Sequence, residues 1–153
     1  VSKLTGTAAA LWFIEALFFW PSNTPTKAAK RLMGECFRFI PVGVIQQFLG
    51  SLNTPDGLSA IDNSFKYANP DVLKDVDVPV LGLSGNWDMF CPAAGGRRTV
   101  AMFGGSSKQH VCFGPWWGTA RRNYGHFDVI CGKDAAHEVW PYITNFLEQH
   151  DDA

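Results

Sequence analysis

The sequence predicts an α/β fold in which a helical region is followed by parallel strands alternating with helices. Three observations carry this expectation. From Ala8 to about Tyr67 apolar residues recur at spacings of three and four, the period of a helix face. Val78-Pro79-Val80-Leu81-Gly82-Leu83 is a run apolar on both faces, which suits a strand covered by helices on either side. Beyond it, turn, helix and strand signals alternate to the end of the chain. With 153 residues, 46% of them hydrophobic and 18% charged, the chain has the makings of one packed domain. Its net charge of −1, with the basic residues scattered in small groups, argues against a nucleic-acid partner.

Taken in order, the most apolar stretch is Ala8 to Trp20, interrupted by Glu15. It falls short of the roughly 20 residues that span a bilayer, so no transmembrane segment is expected and a buried or interfacial helix is. No basic region precedes it and no small-residue cleavage site follows, so it does not read as a signal peptide. Val1 in place of Met fits a chain whose beginning has been lost. In Thr26 to Ile40 the residues Ala29, Leu32, Met33, Cys36, Phe37 and Ile40 mark one face, with Lys27, Lys30, Arg31 and Arg38 largely opposite. Thr24 is positioned to cap this helix and Pro25 to open it. Val42, Ile45, Phe48 and Leu49 make a second helix after Pro41, and Pro55-Asp56-Gly57 is turn chemistry.

After the apolar strand, Pro92 to Phe103 reads as a crossover helix ended by Gly104 and Gly105, and Gln109 to Phe113 as a second strand. The tail, Asp134 to His150, carries Val139, Trp140, Ile143, Phe146 and Leu147 at helical spacing, with Pro141 either kinking that helix or marking its first turn. Of the four cysteines, Cys36, Cys91, Cys112 and Cys131, no two form a CxxC pair. They read as mostly buried thiols of a reducing, intracellular or organellar compartment, and no metal or cofactor is expected.

In open parallel sheets chemistry sits beyond the carboxyl ends of the strands. Gly85-Asn86-Trp87-Asp88 follows the first strand, and a Gly- and Trp-rich loop ending in Asn123-Tyr124-Gly125-His126-Phe127-Asp128 follows the second. A carboxylate and an imidazole at successive strand ends are two parts of a hydrolytic triad: the acid holds the imidazole tautomer while the other ring nitrogen takes a proton. The plainer alternative has Asp88 capping the next helix and His126 hydrogen-bonded in a turn.

Residues from about Pro41 to His150 resemble the carboxyl-terminal part of an α/β-hydrolase of the lipase and esterase type. The likeness is carried by Val78 to Asp88, by Pro92 opening the next helix, and by Tyr124-Gly125-His126-Phe127-Asp128 before the last helix. The resemblance implies that Asp88 is the acid and His126 the base of a Ser-His-Asp catalytic triad; Asp128 could pair with His126 or cap a turn, and its place in the resemblance implies a supporting role near the base and not the triad acid. It implies that residues 1–70 form a helical lid or cap and residues 71–153 the carboxyl-terminal half of the hydrolase sheet.

The chain departs from the family in one respect: it contains no Gly-x-Ser-x-Gly, the elbow that presents the nucleophile. Gly82-Leu83-Ser84-Gly85 is the nearest approach, but it already fills the acid strand, so Ser84 is not expected to be the nucleophile. Cys91 and Cys131 lie close in sequence to the acid and the base without sitting in an elbow, and read as packing thiols. Trp87, Trp116 and Trp117 are candidates for lining the substrate pocket, although Trp116 and Trp117 could equally fill space beneath the loop. Trp12, Phe13, Phe18, Phe19, Trp20, Phe37, Phe39 and Phe48 fit either helix packing or an acyl pocket in a lid.

Two classes of function follow. One is a carboxylic ester hydrolase, with lipid esters among its candidate substrates, whose nucleophile comes from residues upstream. The other is a non-catalytic accessory or docking subunit of a larger complex. In both, the open strand edges require a cover, either the amino-terminal part of the hydrolase or another subunit.

Overall fold

The computed structural model describes residues 15–36, 40–52, 54 and 57–151. In chain order they form α1 (Thr26–Cys36), α2 (Val42–Leu52), α3 (Pro70–Leu73), β1 (Val80–Gly85), α4 (Ala93–Met102), β2 (Lys108–Phe113), a 3-10 turn (Pro115–Trp117), α5 (Asp128–Cys131), α6 (Ala135–Glu138) and α7 (Trp140–Glu148). Residues 15–18 are helical as well. The fold is mixed α/β. Among the described residues its sheet has two strands, β1 and β2, paired in parallel from Val80 opposite Lys108 to Gly85 opposite Phe113. The expected helices at Pro92 to Phe103 and after Pro41 are present as α4 and α2.

Local chemistry accounts for the boundaries that differ from expectation. β1 begins at Val80, not Val78, because Pro79 has no N–H for the ladder, and the Val80 N–H donates to Ser107. Pro141 stands in the first turn of α7, where its missing donor costs nothing, so the tail is two helices broken at Val139 and not one kinked helix. Thr24 does not cap α1. Its hydroxyl donates to the Asp128 carboxylate at 2.5 Å, a long-range bond that no local pattern announces. The apolar stretch at 8–14 with its Trp12 and Phe13, the end of the first amphipathic helix at 37–39, and Pro55 and Asp56 of the expected turn lie outside the described residues.

The two faces of the sheet are different. Val111 and Phe113 point into a core with Tyr124, Val129, Ala135 and Val139, and Leu81, Leu83 and Ile143 pack at its edge. The alternate residues Gly82, Ser84 and His110 face α4 and its Val100, as the two-residue period of a strand requires. A second cluster joins Phe18, Phe19 and Ala29 to Leu32, Met33, Phe127 and Cys131. Side chains from both sides of residue 70 share it, so the amino-terminal segment is packed onto the loop that carries His126. Helix α2 is different, since it has no buried residue and Val42, Val44, Ile45, Phe48 and Leu52 are exposed. Among the described residues no helix is long and apolar enough to cross a membrane.

Gly85 closes β1 where the backbone of the second loop passes directly over it. A Cβ there would overlap the Tyr124 carbonyl oxygen, and the Trp87 N–H donates to that same oxygen at 3.0 Å. Gly85→Ala is therefore expected to lower stability by about 3 kcal/mol, because neither backbone can yield without breaking the bond. Urea denaturation of the two proteins measures this.

Candidate active site

Asp88 and His126 meet. The turn after β1 delivers one and the loop after β2 the other, and Asp88 Oδ2 lies 2.9 Å from His126 Nδ1. The Asp88 side chain is 5% exposed and the His126 side chain 28%. The second carboxylate oxygen, Oδ1, accepts the N–H groups of Phe90 at 3.0 Å and Cys91 at 2.6 Å. The capping role and the imidazole-orienting role are thus both filled, one by each oxygen. With Asp88 ionised, it accepts the proton of Nδ1–H, which leaves Nε2 as the acceptor end of the neutral ring. Among the described residues Nε2 has no hydrogen-bond partner.

The imidazole sits among aromatic rings. Phe127 and Phe90 lie edge-on at centroid distances of 5.0 and 5.2 Å, and Phe18 at 6.2 Å. Phe90 in turn stacks on Phe48 of α2 at 5.7 Å. An apolar surface therefore leads from the imidazole to the exposed face of α2.

Asparagines hold the two loops in register. Asn86 Oδ1 accepts the Tyr124 N–H at 3.0 Å and its Nδ2 donates to Asn123 Oδ1 at 2.8 Å, while the Asn86 N–H donates to Phe113. Asn23, wholly buried, donates to the Asn123 carbonyl at 2.9 Å and accepts from the Lys133 N–H at 3.2 Å. Tyr124 is anchored at its far end, its hydroxyl donating to Glu138 at 2.8 Å. Burial and the neighbouring Glu138 push this phenol well above its ordinary value.

The other candidates fall elsewhere. Trp87 flanks the dyad turn and packs edge-on against Trp20 at 4.8 Å. Trp116 and Trp117 lie on the 3-10 turn beyond β2. Trp116 is 91% exposed and Trp117 lies under the Arg97 guanidinium at 5.5 Å, and no ring contact or hydrogen bond joins either to Asp88 or His126 among the described residues. Ser84 is buried and shares a hydrogen bond with His110 Nε2 at 2.9 Å, beneath α4 on the face away from the main core. It is a packed hydroxyl and not an exposed elbow.

Cys91 is exposed as a residue, against the expected buried thiol, while loss of water around its sulfur and then the Asp88 charge raise the thiol above the ordinary range, against nucleophilic use. Cys112 is buried. Cys131 donates to the Phe127 carbonyl at 3.1 Å, and burial raises both thiols.

No family model, curated protein or solved structure matches this chain. Its chemistry must be argued from the dyad itself.

The Ser84 and His110 pair supplies a pH test of the packing. Burial, then the Arg97 charge, hold His110 below its ordinary value of 6.5. The unfolded chain therefore binds the proton first, and stability is lost as the pH falls from about 6.5 through the folded-state value. In urea denaturation across this window, the wild type should lose stability relative to His110→Gln as the solution is acidified.

Proposed function

We propose that this chain carries the acid and base of a carboxylic ester hydrolase of the α/β-hydrolase type, with Asp88 as the acid and His126 as the base. The single observation that supports the reading is the 2.9 Å bond from His126 Nδ1 to the shielded Asp88 carboxylate, which leaves Nε2 without a partner among the described residues. Among the described residues no hydroxyl or thiol bonds to Nε2, so the nucleophile is assigned to a serine on polypeptide outside them. In this reading the two-stranded sheet is the carboxyl-terminal part of a larger one, and the amino-terminal part of the hydrolase or another subunit covers its open edge.

The chemistry follows from the ring orientation. Nε2 removes the proton of the serine hydroxyl as its oxygen attacks the ester carbonyl, and Asp88 stabilises the imidazolium that forms. The imidazolium then returns the proton to the departing alcohol as the tetrahedral centre collapses to an acyl-enzyme. Water attacks the acyl carbonyl with Nε2 again as base, releasing the carboxylic acid and the free serine. The rings of Phe18, Phe90 and Phe127 beside the imidazole, and Phe48 beyond Phe90, favour an ester with an apolar acyl or alkyl group.

A second reading, a non-catalytic docking or accessory subunit, is favoured by the exposed apolar residues of α2, which exceed what a solvated helix face needs. Labelling by a fluorophosphonate probe separates the two when carried out on the gene product from its native source. The hydrolase reading expects a labelled protein, a loss of about 10⁴-fold in ester turnover for Asp88→Asn, and at least as large a loss for His126→Ala. Absence of labelling in the native protein rejects it in favour of the docking subunit, and labelling that His126→Ala leaves unchanged rejects His126 as the base.

A further inference from the structure

Two residues beyond His126 lies a second carboxylate that the dyad does not use. Asp128 is completely buried, yet no cationic side chain pairs with it among the described residues. Three donors surround it instead: the Trp20 N–H at 2.6 Å and the Gly125 N–H at 2.7 Å, both to Oδ2, and the Thr24 hydroxyl at 2.5 Å to Oδ1. Two of the three come from the segment 18–24, more than a hundred residues away in the chain, and the third from the residue immediately before His126. The residue immediately after His126 is tied to the same segment, since the Phe127 N–H donates to the Phe18 carbonyl at 2.9 Å. Of the two backbone neighbours of the base, Phe127 is therefore fastened to the strap directly and Gly125 through the Asp128 carboxylate. The strap passes so close to Gly125 that a Cβ there would stand 2.7 Å from the Trp20 nitrogen and 2.9 Å from the Phe18 oxygen.

We infer that Asp128 is a positioning residue for His126, acting through the strap of residues 18–24 that it locks against the base loop. The inference rests on His126 being the base. Its physical content is that the imidazole has no freedom to swing away from Asp88: the loop on either side is pinned, and Phe18, carried by the strap, stands against the ring. Hydrogen-bond geometry and not charge performs this work. An asparagine at 128 can place its oxygen toward the Trp20 and Gly125 N–H groups and its amide toward Thr24, whose hydroxyl turns from donor to acceptor. All three bonds then survive without the negative charge. An alanine keeps none of them and leaves the two N–H groups buried without a partner.

The test reads the ring itself. Long-range proton–nitrogen NMR correlations of the ¹⁵N-histidine-labelled full-length gene product, recorded where His126 is neutral, report which ring nitrogen carries the proton. The wild type is expected to show Nδ1–H with a bare Nε2. In Asp128→Ala the preference for that tautomer should fall by about tenfold or more, the equivalent of one lost hydrogen bond to a charged group. His110 and His150 should stay unchanged, and Asp128→Asn should keep the wild-type pattern. An Asp128→Ala protein that folds with His126 unaltered overturns the inference, as does an Asp128→Asn protein as disturbed as Asp128→Ala. Should Asp128→Ala fail to fold, Thr24→Val removes one donor of the three and is expected to move His126 in the same direction by less; an unmoved ring there also overturns it. Failure of the hydrolase reading would appear as absent fluorophosphonate labelling with these spectra intact, so the two outcomes are separable.

Discussion

The geometry around the dyad depends on how closely two loops can pack at the carboxyl ends of β1 and β2. Gly85 has no side chain to hold the Tyr124 carbonyl away, and Asn86 occupies the space beside it with hydrogen bonds to Asn123 and Tyr124. Each bond replaces one that the backbone would otherwise make to water, and most are shielded, so losing one leaves a polar group stranded at a cost of about 1–3 kcal/mol. The approach of the loops brings the carboxylate to the imidazole. Parallel strand pairing alone would leave both side chains at the same end of the sheet without making them touch.

Asp88 serves two demands with one carboxylate. Its Oδ1 satisfies the N–H groups of Phe90 and Cys91, which fixes the turn, and its Oδ2 holds the imidazole. A carboxylate immobilised by backbone donors is a stronger orienting partner than a free one, because little entropy remains to be lost when the ring binds. Around this pair the rings of Phe90 and Phe127 stand edge-on to the imidazole. The arrangement combines a firmly held imidazole with apolar surroundings.

Much of this was legible in the amino-acid order. The apolar run before Ser84, the glycine and asparagine after it, and the Gly-His late in the chain announced two strand ends with a carboxylate and an imidazole; periodicity located α1, α2 and the tail, and Pro92 with the Gly104-Gly105 pair bracketed α4. What stayed hidden is long-range. Thr24 looks like a cap residue and Asn23 carries no signal of its own, yet their side chains bond to Asp128 and Asn123 across about two-thirds of the chain, and no local pattern encodes such a partner. Phe90 reads as a loop residue and becomes a wall of the site only because Asp88 folds the turn back. The exposure of Trp116 was equally unreadable, because a Gly-Pro-Trp-Trp-Gly segment satisfies a buried loop and a protruding turn alike. The wider sheet of a hydrolase is a proposal, since two strands are compatible with several α/β architectures.

The site as a whole depends on Asp88 holding the Nδ1 proton of His126. Low-field proton NMR addresses it directly, because an imidazole N–H bonded to a shielded carboxylate exchanges slowly enough to give its own resonance. Such a resonance is expected in the wild-type protein and is expected to disappear in Asp88→Ala, with the signals of the remaining fold retained. A resonance assigned to His126 that persists unchanged when Asp88 is replaced would contradict it.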